Sequence, residues 1–254
     1  MATLLAGKAP DATPVERALI DLVRRAHEAP ALLSPADLEP VRAVAGDGAL
    51  DYLLVLCAFH WITRIADLLA VPPEALPAAL RRFEPLRRLG VRAASLLLRR
   101  MDLANRPYPA TFADARRGLE EALRRPVGDA IEALRPRPKL VESLALAVEE
   151  RDRWSSLDRA TLERMQRTVE AALPRSADEA TGFHARPSDA VEAFAFVGTR
   201  YANRTTSAQI DALRRAGYAD LGILDLAIAV ADANQWARLY RLAGLPAGLL
   251  SVTG

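Results

Sequence analysis

Two stretches near opposite ends of the chain read alike, and that likeness limits the fold more than any other feature. Ser34 to Pro72 is SPADLEPVRAVAGDGALDYLLVLCAFHWITRIADLLAVP. Thr206 to Pro246 is TSAQIDALRRAGYADLGILDLAIAVADANQWARLYRLAGLP. Each reads as a capped short helix, a glycine-bearing turn, a long apolar helix and a proline stop. Aligned on the final proline, Gly48 falls on Gly222, Asp51 on Asp225 and Arg64 on Arg238, with a two-residue gap in the turn. Cys57 falls on Ala231 and His60 on Asn234. We therefore expect an all-α chain with two diverged repeats, at 1–72 and 188–254, around a middle helical segment at 73–187.

Helix starts elsewhere agree with that class. TPVE at Thr13 has capping-box spacing with Pro at the first helical position. SPAD at Ser34 and TSAQ at Thr206 offer the same kind of start. Apolar residues recur at helical spacing, as at Leu19, Leu22, Val23 and Ala26, and again at Ile210, Leu213 and Ala216. No period-two pattern competes. Ala and Leu dominate, aromatics are 6% of residues, and the Ala, Arg and Pro usage suits a GC-rich bacterial genome.

The charge balance excludes several functions. The net charge is +2 over 254 residues, which is not the composition of a polyanion binder. The Arg81–Asp102 run RRFEPLRRLGVRAASLLLRRMD resembles a surface-binding helix, but it has one aromatic, Phe83, and no lysine. We expect a solvated or subunit-facing helix there, with no nucleic-acid or membrane partner. No apolar run approaches the ~20 residues of a membrane span, and no signal-peptide pattern opens the chain. One cysteine forbids an intramolecular disulfide and fits a reducing cytoplasm.

The candidate chemistry lies on the first long helix. Cys57, His60 and Arg64 are spaced i, i+3, i+7 and share one face. Cys57 could be a thiolate activated by His60 and Arg64. It could equally be core, flanked by Leu53, Leu56 and Phe59. His60 and Arg64 could bind a small anion, Arg supplying a fork and His a donor or general acid. They could also be a buried polar pair tying helices together. The second copy carries Asn234 and Arg238, which are candidates for binding a substrate. His27, His60 and His184 have no paired ligand spacing, so no metal is expected, and no phosphate loop points to a cofactor.

The stretch LRRAGYADLGIL, leading into a helix that ends in Asn234-x-x-x-Arg238, resembles the end of carboxymuconolactone decarboxylase and alkylhydroperoxidase D (AhpD-like) proteins. CAFHWITRIADLL is similar to the corresponding helix of two-repeat members. The resemblance covers about a hundred residues. It implies an all-α fold, a homo-oligomer, and chemistry on a small molecule as a lyase or a thiol peroxidase. The peroxidase branch uses a Cys-x-x-Cys pair, which this chain lacks. A peroxide-reducing cycle closed within one chain is therefore excluded, because an oxidised thiol needs a resolving partner. Acid-base or single-thiol chemistry on a small anion stays open, as does a non-catalytic scaffold.

Overall fold

The structure, a computed structural model, describes residues 12–69, 111–174 and 189–250. The Arg81–Asp102 run, the proline stop at Pro72 and His184 lie outside the described residues. Nine α-helices and several short 3-10 turns make up the described residues, with no strand among them. The all-α class is thus observed.

The first helix, α1 (Pro14–Glu28), starts as its sequence predicts. The Thr13 hydroxyl accepts from Glu16 N, and the Glu16 carboxylate accepts from Thr13 N at 2.7 Å. A 3-10 turn (Pro30–Leu32) leads to a second capping box, in which Asp37 accepts from Ser34 N. The short helix expected after Ser34 is split. A 3-10 turn spans Pro35–Asp37 and α2 spans Glu39–Ala45, because Pro40 has no N–H to carry one helix through. After Gly46–Gly48 the long helix α3 runs from Ala49 to Leu68.

The middle of the chain supplies α4 (Phe112–Leu123), α5 (Pro138–Trp154) and α6 (Arg159–Ala172). Then α7 (Ala190–Arg200), a 3-10 turn (Ala202–Arg204), α8 (Ser207–Arg215) and α9 (Asp220–Ala243) follow. This last succession has the same order as α1, the turn at Pro30, α2 and α3. The register that sets Ser34 on Thr206 also sets the turn Pro30–Leu32 on Ala202–Arg204, and Glu28, the last residue of α1, on Arg200, the last of α7. Thr206 and Gln209 form a capping box, as Ser34 and Asp37 do.

The two long helices pack against each other, and α9 joins two apolar clusters. In one cluster Leu22, Val41, Leu50 and Leu53 meet Leu119, Ile131 and Val141 of the middle segment and Leu239 and Leu242 of α9. In the other, Met165, Val169, Phe194 and Leu213 meet Ile223, Leu226 and Val230 of α9 and Leu68 at the end of α3. Each such buried side chain contributes about 1.5–3 kcal/mol against exposure. The middle segment is therefore divided, with α4 and α5 in the first cluster and α6 in the second.

One glycine sets how closely the helices approach. A Cβ on Gly198 of α7 would stand 2.9 Å from Leu68 Cδ2 and 2.9 Å from Val230 Cγ1. Only a residue without that carbon lets α7 reach both long helices.

Not all of α3 is core. Val55, Phe59 and Ile62 are 65%, 63% and 59% exposed, and Tyr52 continues their stripe. Phe59 stands two residues from Cys57 and so points across the helix, away from the buried face that holds Leu53, Leu56 and Cys57. The Glu39–Leu68 stretch is in fact long and apolar enough, by length and composition alone, to cross a membrane. The expectation that no such run exists is corrected: Glu39, Arg42, Asp47 and Asp51 precede an uncharged run from Tyr52 to Thr63, and Arg64 and Asp67 follow it.

Candidate functional site

The α3–α9 seam brings Cys57, His60, Arg64, Asn234 and Arg238 into one neighbourhood with the end of α7. Cys57 is buried, and its Sγ donates to the backbone carbonyl of Gln235 at 3.8 Å. Burial pushes the thiol up to about 12, with Arg238 acting in the opposite direction. A thiol in that setting keeps its proton at neutral pH and is a poor nucleophile.

Arg64 donates through Nη1 alone, to the carbonyl of Gly198 and to that of Thr199 at 2.9 Å. Both carbonyls belong to the last turn of α7, where helix geometry leaves them without intrahelical partners. Its Nε is shielded from solvent and has no acceptor. Among the described residues no hydrogen bond reaches the Nε–Nη2 edge, the one that takes a carboxylate side-on. Burial, then the Arg238 charge, push Arg64 down to about 9, against the opposing pull of Asp67.

Arg238 is engaged differently. It is 2% exposed and donates through Nε to the Ala26 carbonyl at 3.1 Å and through Nη1 to the Asn234 carbonyl at 2.9 Å. Burial holds it down at about 10. Asn234 is fully buried, and its Nδ2 donates to Thr199 Oγ1 at 3.2 Å and to the Val230 carbonyl at 2.9 Å. These two residues tie helices together.

His60, one turn before Arg64, is half-buried with its Nε2 shielded and without a partner. Burial pushes it down to about 3, aided by the charges of Arg238, Arg64 and His27. At neutral pH it is an uncharged imidazole. His27 is on α1 and exposed.

Sequence reasoning missed Arg200 and Asp232. Arg200 ends α7, donates through Nη1 to the Leu173 carbonyl at the end of α6, and has a shielded Nε without a partner. Its signal was faint, because its register mate is Glu28. Asp232 is 8% exposed on α9 and accepts from Trp61 Nε1 at 2.7 Å and from Gln235 Nε2 at 3.3 Å. Burial pushes its carboxyl up to about 7, against the lowering effect of the Trp61 bond.

The electrostatics of the cluster are unusual. Among the described residues Arg64, Arg200 and Arg238 form no ion pair, whereas surface arginines such as Arg25 with Asp37 do. Each instead caps the C-terminal end of a different helix. A helix C-terminus carries about half a negative charge. Three such ends offset about half of three guanidinium charges, leaving a surplus of about +1.5.

A concavity of about 520 Å³ lies on α4 between Phe112, Arg116, Glu120 and Arg135. Its charges are already matched, Arg116 to Glu120 and Arg135 to Glu132. No family model matches the chain, and neither a curated protein nor a solved structure matches it.

Proposed function

We propose that the chain is a divergent two-repeat AhpD-like protein, without the peroxidase dithiol, that binds a small carboxylate between Arg64 and His60. The observation that carries this reading is a pair of orphaned nitrogens one turn apart, Arg64 Nε and His60 Nε2. Buried polar atoms without a partner are rare and call for an occupant. The free edge of Arg64 fits a carboxylate bidentately. The uncharged His60 ring then stands beside the bound acid, where it can accept or return a proton. Arg238 and Asn234 hold the frame, and Cys57 packs it.

The repeat assignment is supported by the shared succession of elements and by a reciprocal bond. Arg64 of α3 reaches Gly198 of α7, and Arg238 of α9 reaches Ala26 of α1. The register that aligns Ser34 with Thr206 aligns Ala26 with Gly198. The test is calorimetric titration with acetate and benzoate. Wild type is expected to bind one carboxylate per chain, with His60 imidazole signals shifting in NMR, and Arg64→Gln to lose binding. Absence of binding to wild type, or equal binding by Arg64→Gln, rejects the site.

A non-catalytic scaffold is the second reading, favoured by the full engagement of Arg238 and Asn234. A homo-oligomer belongs to either reading and is supported by the exposed Val55, Phe59 and Ile62. Light scattering should give a multiple of the chain mass that Phe59→Glu reduces. A monomeric wild type, or binding of α3 to lipid vesicles, would remove it.

A further inference from the structure

Five shielded side-chain nitrogens lack a partner among the described residues, and three of them belong to His60, Arg64 and Arg200. The other two, on Gln209 and Trp236, lie apart from one another in the sequence and carry no formal charge. Arg200 resembles Arg64 in how it is held. Each spends Nη1 on the terminal carbonyls of a helix, and each leaves Nε, with the adjacent Nη2, unengaged. Arg238 does not share this pattern, because its Nε is occupied by the Ala26 carbonyl. Arg64 donates to the carbonyls of Gly198 and Thr199, the two residues before Arg200, so both arginines stand at the C-terminal end of α7.

We infer that Arg200 is a second ligand-binding residue, and that its open guanidinium edge, paired with that of Arg64, selects a small dianion over a monoanion. This deepens, and rests on, the proposal that Arg64 binds a carboxylate. Two forks match two planar acidic groups, or one tetrahedral group presenting several oxygens. The charge count points the same way. A surplus of about +1.5 is left partly unmet by one negative charge and is neutralised by two. The groups surrounding the site are cationic or neutral: Arg64 and His60 from α3, Arg238 from α9, Arg200 from α7 and His27 from α1. Among the described residues, the carboxylate that acts on Arg64 is Asp67, and it is exposed.

The experiment is calorimetric titration of the full chain with acetate, succinate and inorganic phosphate at one ionic strength. Wild type is expected to bind succinate or phosphate at least about tenfold more tightly than acetate, a step of about 1.4 kcal/mol. Which of the two binds tells a pair of carboxylates from a single tetrahedral group. Arg200→Gln should lower the dianion-to-acetate ratio to near one, and Arg64→Gln should abolish all binding. Arg200→Lys keeps the charge at the end of α6 but not the fork, so it controls for folding and should keep only the part of the preference that charge supplies. An unchanged ratio in both Arg200 variants overturns the inference and leaves the Arg64 site standing. Failure of wild type to bind any of the three anions overturns both.

Discussion

Arg238 raises the positive potential at Arg64 across the α3–α9 seam, and no carboxylate among the described residues pairs with either guanidinium. Each is held by the carbonyl end of a helix from the opposite segment. The bonds favour the fold while the mutual repulsion opposes it. Arg238→Met should cost about 1–3 kcal/mol, the usual loss when buried acceptors are left unsatisfied. Each single variant also relieves the repulsion, and a double variant relieves it only once. Arg64→Met with Arg238→Met should therefore destabilise by more than the sum of the singles in urea titrations. A sum that is simply additive would show that the two charges do not interact.

His60 makes the protein acid-sensitive. Its folded-state value of about 3 lies below the ordinary 6.5, so the folded state resists binding its proton. Its contribution to stability is complete above pH 6.5 and is lost as the pH falls toward 3. His60→Asn, which installs the residue found at 234, should flatten the melting temperature over that range. Parallel melting profiles for variant and wild type would contradict a shielded imidazole.

Asp232 works in the opposite sense. Its carboxyl sits at about 7, above the ordinary 3.8, so the folded state favours the protonated acid. Its contribution is complete below about 3.8 and is lost as the pH rises through 7. Asp232→Asn keeps an acceptor for Trp61 Nε1 and removes the charge. It should be more stable than wild type at pH 8 and lose the titration of Trp61 fluorescence expected near neutrality. Trp61 emission that does not change from pH 5 to 9 in wild type would refute this.

Two glycines should respond oppositely to the same substitution. Gly198→Ala forces a methyl into contacts of 2.9 Å with Leu68 and Val230 and should cost about 1–3 kcal/mol. Gly118 of α4 has no heavy atom within 4 Å of the position its Cβ would take, so Gly118→Ala should stabilise by about 0.5–1 kcal/mol. Denaturation midpoints that move the same way would contradict the packing described at α7.

Cys57 should ignore aromatic disulfide reagents in the native state at pH 8 and react once the chain is unfolded in guanidinium. Its thiol is buried, donates to Gln235 and sits at about 12. Rapid native labelling would reopen thiol chemistry at this position.

The local grammar of the fold was legible. The caps at Thr13, Ser34 and Thr206 all form, and Gly244, left-handed at φ 70°, stops α9 just before the expected proline. The shared face of Cys57, His60 and Arg64 follows from helical spacing alone. The partners of Arg64 and Arg238 were not legible, because they come from α7 and α1, where the two segments share register but not residue type. Ala26 and Gly198 act through backbone carbonyls, which leave no mark on side-chain identity. Arg200 resembled any terminal arginine until its Nε was found shielded. Phe59 was misplaced because sequence proximity to Cys57 is not proximity on a helix.

The helix α9 lends Ile223, Leu226 and Val230 to one interior and Trp236, Leu239 and Leu242 to the other. A stop codon anywhere upstream of Asp220 would thus empty both interiors together. Such a message would yield a chain in which neither interior closes, because both draw on this one strut.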